Sequence, residues 1–199
     1  MITVIDYKAG NLTSVVKALR AIGADTLVTE DPDEVRRADK LVLPGVGHFA
    51  ATRFLADRGL RQAATEKIAQ GTPFLGICVG LQWLFAGSTE DPSVQGAGLF
   101  EGMCERFTGA MKIPHVGWNS ISVDPASRLL RGIEEGAYVY YTHSWRAPIV
   151  KETVAVTNYG QPFTAAVERD NLMAVQFHPE KSSAAGRTLL ENFVRLESC

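Results

Sequence analysis

Four short strand-like runs punctuate the first half of the chain: ITVID (2–6), DTLVT (25–29), KLVLPG (40–45) and PFLGIC (73–78). Continuous apolar runs of this length belong to strands buried on both faces. Between them the spacing is helical. Leu12, Val15, Val16, Leu19 and Ile22 make one apolar stripe, and Gly23 stands where that helix would end. In DPDEVRRAD, Asp31 is a good N-cap and Pro32 suits the first helical position. LRQAATEKIAQG (60–71) is a further helix, closed by Gly71. Strands that alternate with helices in this way imply a parallel sheet covered on both faces.

The second half changes character. Residues 99–123 and 137–177 hold strand-like runs such as YVYYTHSW, ETVAVTNYG, FTAAVERD and NLMAVQF, with turns expected at Asn158-Tyr159-Gly160 and Asp170-Asn171. An amphipathic helix at about 184–196, built on Leu189, Leu190, Phe193 and Leu196, closes the chain. With no repeat or linker, residues 1–199 read as one domain. The expected class is α/β: a mostly parallel central sheet flanked by helices, with an antiparallel β extension in the second half.

Several function classes drop out on composition. A net charge of −2 with scattered basic residues offers no footprint for nucleic acid or an anionic membrane. No stretch approaches the roughly 18 continuous apolar residues of a membrane span. The start, MITVIDYKAGN, lacks a secretory pattern, so a cytoplasmic protein is expected. Three cysteines (Cys78, Cys104, Cys199) without a CxxC pair suggest neither a disulfide framework nor zinc, and four dispersed histidines suggest no metal. Gly45, Gly47, Gly76 and Gly80 form neither GxGxxG nor GxxxxGK, so no nucleotide loop is supported and no cofactor is expected.

Chemistry concentrates at the ends of strands. In GICVGLQ, Cys78 follows an apolar strand and precedes helical LQWLF, between Gly76 and Gly80. Most cysteines are small core residues, but this setting is that of a nucleophile elbow, whose helix N-terminus favours thiolate. His178, in VQFHPEKS, also falls at the end of a strand (173–177). Pro179 biases it to extended backbone, in which Glu180 would share its side. Cys78, His178 and Glu180 therefore read as nucleophile, base and orienter. An oxyanion hole would draw on the N–H of Val79 and on the PGVG loop at 44–47, with Val46 and Gly47 supplying the second donor. His48 reads as a solvated helix-start residue; His115 and His143, flanked by aromatics, read as packed.

GICVGLQ, PGVG and QFHPE together resemble the class I, triad-type glutamine amidotransferases. DYKAGN, KIPHVGWN, YYTHSWR and FHPEKS are similar to the glutaminase subunits of imidazole glycerol phosphate synthases, in order along essentially the whole chain. The resemblance implies glutamine as substrate, hydrolysed through a Cys78 thioester with Gln82 helping to hold it. It implies a (β/α)₈-barrel cyclase as partner in a heterodimer, with Asn11, Trp118 and Lys181 facing it. Lys8, Val79 and Trp145 depart from the pattern. Two other readings stand beside this one. One is the glutaminase of another pathway, such as pyridoxal phosphate synthesis. The other is a non-catalytic redox sensor using Cys78, against which the His-Pro-Glu run argues.

Overall fold

The computed structural model describes residues 1–9 and 11–197. Its first half runs β1 (Ile2–Ile5), α1 (Leu12–Ala21), β2 (Thr26–Thr29), α2 (Pro32–Arg36) and β3 (Lys40–Leu43). A 3-10 turn (Phe49–Thr52) leads to α3 (Arg53–Asp57), α4 (Leu60–Ala69), β4 (Phe74–Ile77), α5 (Val79–Leu84) and β5 (Gly87–Ser88). The second half holds β6 (Met103–Arg106), β7 (His115–Ser120), β8 (Ser122–Val123), β9 (Tyr138–His143) and β10 (Trp145–Arg146). Then come β11 (Thr153–Asn158), β12 (Pro162–Arg169), β13 (Leu172–Val175), a 3-10 turn (Pro179–Lys181) and α6 (Ser183–Arg195).

The central sheet has eight strands in the order β2-β1-β3-β4-β13-β12-β11-β8. β2 through β13 in that order pair in parallel, and β12, β11 and β8 extend the edge antiparallel. β7 pairs with β9, and β5, β6 and β10 form a separate small sheet, so part of the expected extension stands outside the main sheet. Within residues 99–123 only 103–106, 115–120 and 122–123 are strands.

Local signals account for the element ends. Asp31 accepts from the Asp33 N–H at 2.9 Å ahead of Pro32, a cap contributing about 1 kcal/mol. Gly23 ends α1 at φ +83°, a left-handed conformation that glycine adopts without a Cβ penalty. Alternate residues of each parallel strand bury on opposite faces. Val4, Val42, Leu75 and Ile77 pack with Val15, Leu19, Leu189 and Phe193 on the side of α1 and α6. Ile5, Leu41, Leu43 and Phe74 pack with Leu60, Ala64, Leu81 and Trp83 on the side of α4 and α5. Order along the sheet reverses at β1, leaving a crevice beyond the carboxyl ends of β1 and β3. Among the described residues no helix is long and apolar enough to cross a membrane.

Candidate active site

β4 ends in mid-sheet with all four residues buried, and the chain turns into α5 through one residue. That residue is Cys78, at φ +54°, ψ −104°, a backbone that side chains resist and that only surrounding packing can hold. The packing is close because two side chains are missing. A Cβ at Gly76 would lie 2.7 Å from the Gly80 carbonyl oxygen, and one at Gly80 would strike the Leu43 carbonyl oxygen. Gly80→Ala should therefore push α5 from β3 and cost about 3 kcal/mol, read from urea unfolding; an unchanged midpoint would remove close approach as the reason for glycine there.

β13 brings His178 to the same end of the sheet. Glu180 meets it as expected, but by another device: it lies in the 3-10 turn after Pro179 rather than two residues along an extended chain. His178 Nδ1 is 2.9 Å from Glu180 Oε1, and both side chains are 1% exposed. The His178 N–H donates to the Tyr140 carbonyl at 2.9 Å, and its own carbonyl accepts from the Ser182 hydroxyl at 2.7 Å, so β9 and the start of α6 hold the imidazole's backbone. Burial presses the imidazole's pKa down, but the Cys78 sulfur and the Glu180 carboxylate outweigh it and push it up to about 10. With Nδ1 engaged, Nε2 is the nitrogen left for the sulfur. It has no formed hydrogen bond among the described residues, a looseness usual before substrate tightens such a site.

A cavity of about 230 Å³ adjoins the sulfur, lined in part by Gly47, Cys78, Val79, Gln82, His143 and Trp145. Gly47, at φ +96°, brings the PGVG loop to its rim. Gly45 seats that loop on the elbow, since a Cβ there would lie 2.7 Å from Val79 Cβ. Val46 does not join the cavity lining in this conformation. Gln82 is buried; its Nε2 donates to the Trp145 carbonyl at 2.9 Å and to Gln176 Oε1 at 3.3 Å, so its own Oε1 is the end left to accept from a ligand.

His48 caps the first 3-10 turn, its Nδ1 accepting from the Ala50 N–H, while His115 and His143 are buried among aromatics. Cys104 is buried and burial pushes its thiol up; Cys199 lies outside the described residues. Trp118 is 49% exposed. It meets Tyr140 edge-on at 6.0 Å, and Lys181 Nζ stands 5.6 Å over the same ring, which places two of the three expected partner residues side by side. Asn11 stands at the N-cap position of α1 without bonding a helix N–H, its Oδ1 accepting from the Ser14 hydroxyl instead. Lys8 pairs with Asp6 and Glu30 on the surface.

Two residues near the sulfur were missed. Tyr7, just after β1, is buried with no hydrogen-bond partner for its hydroxyl among the described residues; burial and then Cys78 push its pKa up. Gln176 Nε2 donates to the Cys78 sulfur at 3.6 Å. A polar residue inside the apolar run NLMAVQF was the available signal.

A strained cysteine elbow beside a buried His–Glu pair, at the carboxyl end of a parallel sheet, is the equipment of a hydrolytic or transfer enzyme acting through a thiol. The family model "Glutamine amidotransferase class-I" matches residues 3–196, and the chain belongs to that family. Its relatives include proteins named imidazole glycerol phosphate synthase subunit HisH. That of Methanothermobacter thermautotrophicus is 48% identical, covering 98% of each chain. Those of Aquifex aeolicus and Yersinia pestis are 45% and 40% identical, covering 96% and 98% of this chain and 95% and 99% of theirs. Among solved structures, a glutamine amidotransferase superposes with a TM-score of 0.76 at 16% identity, covering 98% of this chain and all of that one. The glutaminase domain of Trypanosoma brucei CTPS superposes with a TM-score of 0.68 at 14% identity, covering 100% of this chain and 95% of that one, and both likenesses speak to the fold alone.

Proposed function

We propose that this chain, as one class I domain over residues 1–199, hydrolyses glutamine to glutamate and ammonia and supplies the ammonia to a (β/α)₈-barrel cyclase in histidine biosynthesis. The observation that carries this reading is the strained Cys78 elbow with the His178–Glu180 pair in reach. His178 holds a proton at neutral pH, so the sulfur attacks the side-chain amide carbon of glutamine as thiolate. The Val79 N–H, with the PGVG loop through Val46 and Gly47, stabilises the oxyanion. His178 then gives its proton to the departing nitrogen, ammonia leaves, and a glutamyl thioester remains on Cys78. Water attacks the thioester with neutral His178 as base. Glutamate leaves, and the thiolate–imidazolium pair is restored. Glu180 holds the imidazole orientation throughout. Gln82 Oε1 accepts from the substrate's ammonium.

The cyclase incorporates the ammonia with cleavage of a phosphoribosyl-formimino-carboxamide ribonucleotide. The products are imidazole glycerol phosphate and an aminoimidazole carboxamide ribotide. Trp118, Lys181 and Asn11 face this partner. The names and near-complete coverage of the relatives support that assignment over another pathway's glutaminase. The isolated chain should be a poor glutaminase, since the two glycines of the PGVG loop make a peptide reorientation there cheap and the oxyanion hole can rest misaligned. One absent oxyanion donor typically costs about 10²–10³ in rate, and a liganded partner can restore it by favouring the aligned loop. Glutamate release should therefore rise from isolated chain, to complex, to complex with nucleotide ligand; full activity in the isolated chain would sink this regulation.

A further inference from the structure

Two lines of polar groups meet at the Trp145 carbonyl, one from Asn119 through His115 and His143 and one from the Cys78 sulfur through Gln176 and Gln82, and each of their hydrogen bonds can point only one way. Asn119 Oδ1 accepts from the Ser120 N–H at 2.8 Å, which makes the other end of that amide the donor. Its Nδ2 donates to the Asn158 carbonyl at 3.1 Å and lies 3.4 Å from His115 Nε2, which must accept. His115 therefore carries its proton on Nδ1, which is 3.0 Å from His143 Nε2. His143 in turn donates from Nδ1 to the Trp145 carbonyl at 2.9 Å. That carbonyl's second lone pair takes the Gln82 amide, whose other N–H goes to Gln176 Oε1. The remaining Gln176 donor is the one on the Cys78 sulfur. Reversing any member would set two donors or two acceptors against each other.

We infer that the arm from the Trp145 carbonyl through Gln82 is a device for placing a donor on the Cys78 sulfur, with Gln176 as a catalytic residue that stabilises the thiolate and the His115–His143 pair as positioning residues that hold the Trp145 carbonyl in place. A glutamine wholly buried beside a reacting atom is costly unless both ends of its amide are satisfied. Here one end is satisfied by Gln82 and the other by the sulfur. The two imidazoles keep the required form because they stay neutral. Burial pushes His115 down to about 4 and His143 to about 3. Tyr159 and Tyr141 stack on the His115 ring at 3.9 and 4.7 Å, which fixes the plane in which it meets His143. Hydrogen bonds to a charged acceptor are the strong ones, so this donor acts on the thiolate far more than on the thiol.

The inference rests on Cys78 being the reacting sulfur, and its test reads the sulfur without using glutamine. Alkylation of Cys78 by iodoacetamide, followed by peptide mass spectrometry on the full chain across pH, reports its thiolate fraction. In Gln176→Leu the midpoint should rise by about one pH unit, with labelling about tenfold slower at pH values below the wild-type midpoint. Gln176→Glu, nearly isosteric, should raise it further and carries the test if the leucine variant does not fold. His143→Phe keeps the aromatic packing and should shift the midpoint the same way; His143→Asn, which can still donate to the Trp145 carbonyl, should recover part of the shift. Wild-type profiles in the foldable Gln176 variants would overturn the role of Gln176, and a wild-type profile in His143→Phe would overturn that of the histidine pair. Glutamine hydrolysis surviving in Cys78→Ala would instead overturn the functional reading, leaving the labelling result intact.

Discussion

Cys78→Ala is expected to abolish glutamate release from glutamine while leaving synthase activity with added ammonium salts. Only thioester formation needs the sulfur, whereas ammonia enters the downstream reaction directly. The fall in hydrolysis should be on the order of 10⁶, the size seen when a triad hydrolase loses its nucleophile. Cys104→Ala and Cys199→Ser are the controls. Cys104 is buried among Trp83, Phe85 and Phe100 in the core, its thiol pushed up by burial, and its loss should leave hydrolysis normal. The measurements are glutamate release and product formation with glutamine or ammonium in the assembled synthase. Full glutaminase activity in the alanine variant would move the nucleophile elsewhere.

Glu180→Gln should keep the fold and lower turnover. The amide keeps the size of the side chain but removes the negative charge 2.9 Å from the imidazole. The corresponding change in a serine protease costs about 10⁴; a thiolate is the better nucleophile, so a smaller loss is expected here. The same pair makes stability depend on pH. The His178 pKa is raised to about 10 in the folded chain, against about 6.5 when unfolded. Its stabilisation is therefore complete below the unfolded value and is lost as pH rises through the folded one. The stability gap between wild type and Glu180→Gln should accordingly narrow from pH 7 to pH 10, as read by urea unfolding. Wild-type turnover in the variant across that range would show that Glu180 does not orient His178.

What was legible in the residues was whatever rests on local pattern. Capping at Asp31, the stop at Gly23, the turns at 158–160 and 170–171 and the stripe of α6 depend on near neighbours, so the chain states them directly. The His–Glu contact was anticipated for the wrong reason, because Pro179 begins a 3-10 turn and that turn, not strand alternation, brings the carboxylate round. The separation of the β7–β9 pair and the small sheet from the main sheet was not legible. Strand pairing between segments tens of residues apart leaves little mark in either segment alone.

The sequence by itself determined the class of the fold and the chemistry at its strand ends. Buried runs alternating with helices admit few arrangements, and a parallel sheet puts the ends of β3, β4 and β13 at one edge, so PGVG, Cys78 and His178 had to converge. Only the tertiary structure decided that Gln176 reaches the sulfur, that Tyr7 lies buried beside it, and that two histidines behave as neutral links. Those roles depend on side chains 28 to 98 residues apart sharing one buried, low-dielectric volume. There an unpaired polar group is too costly to leave, so each donor's direction is set by its neighbour in space rather than in sequence.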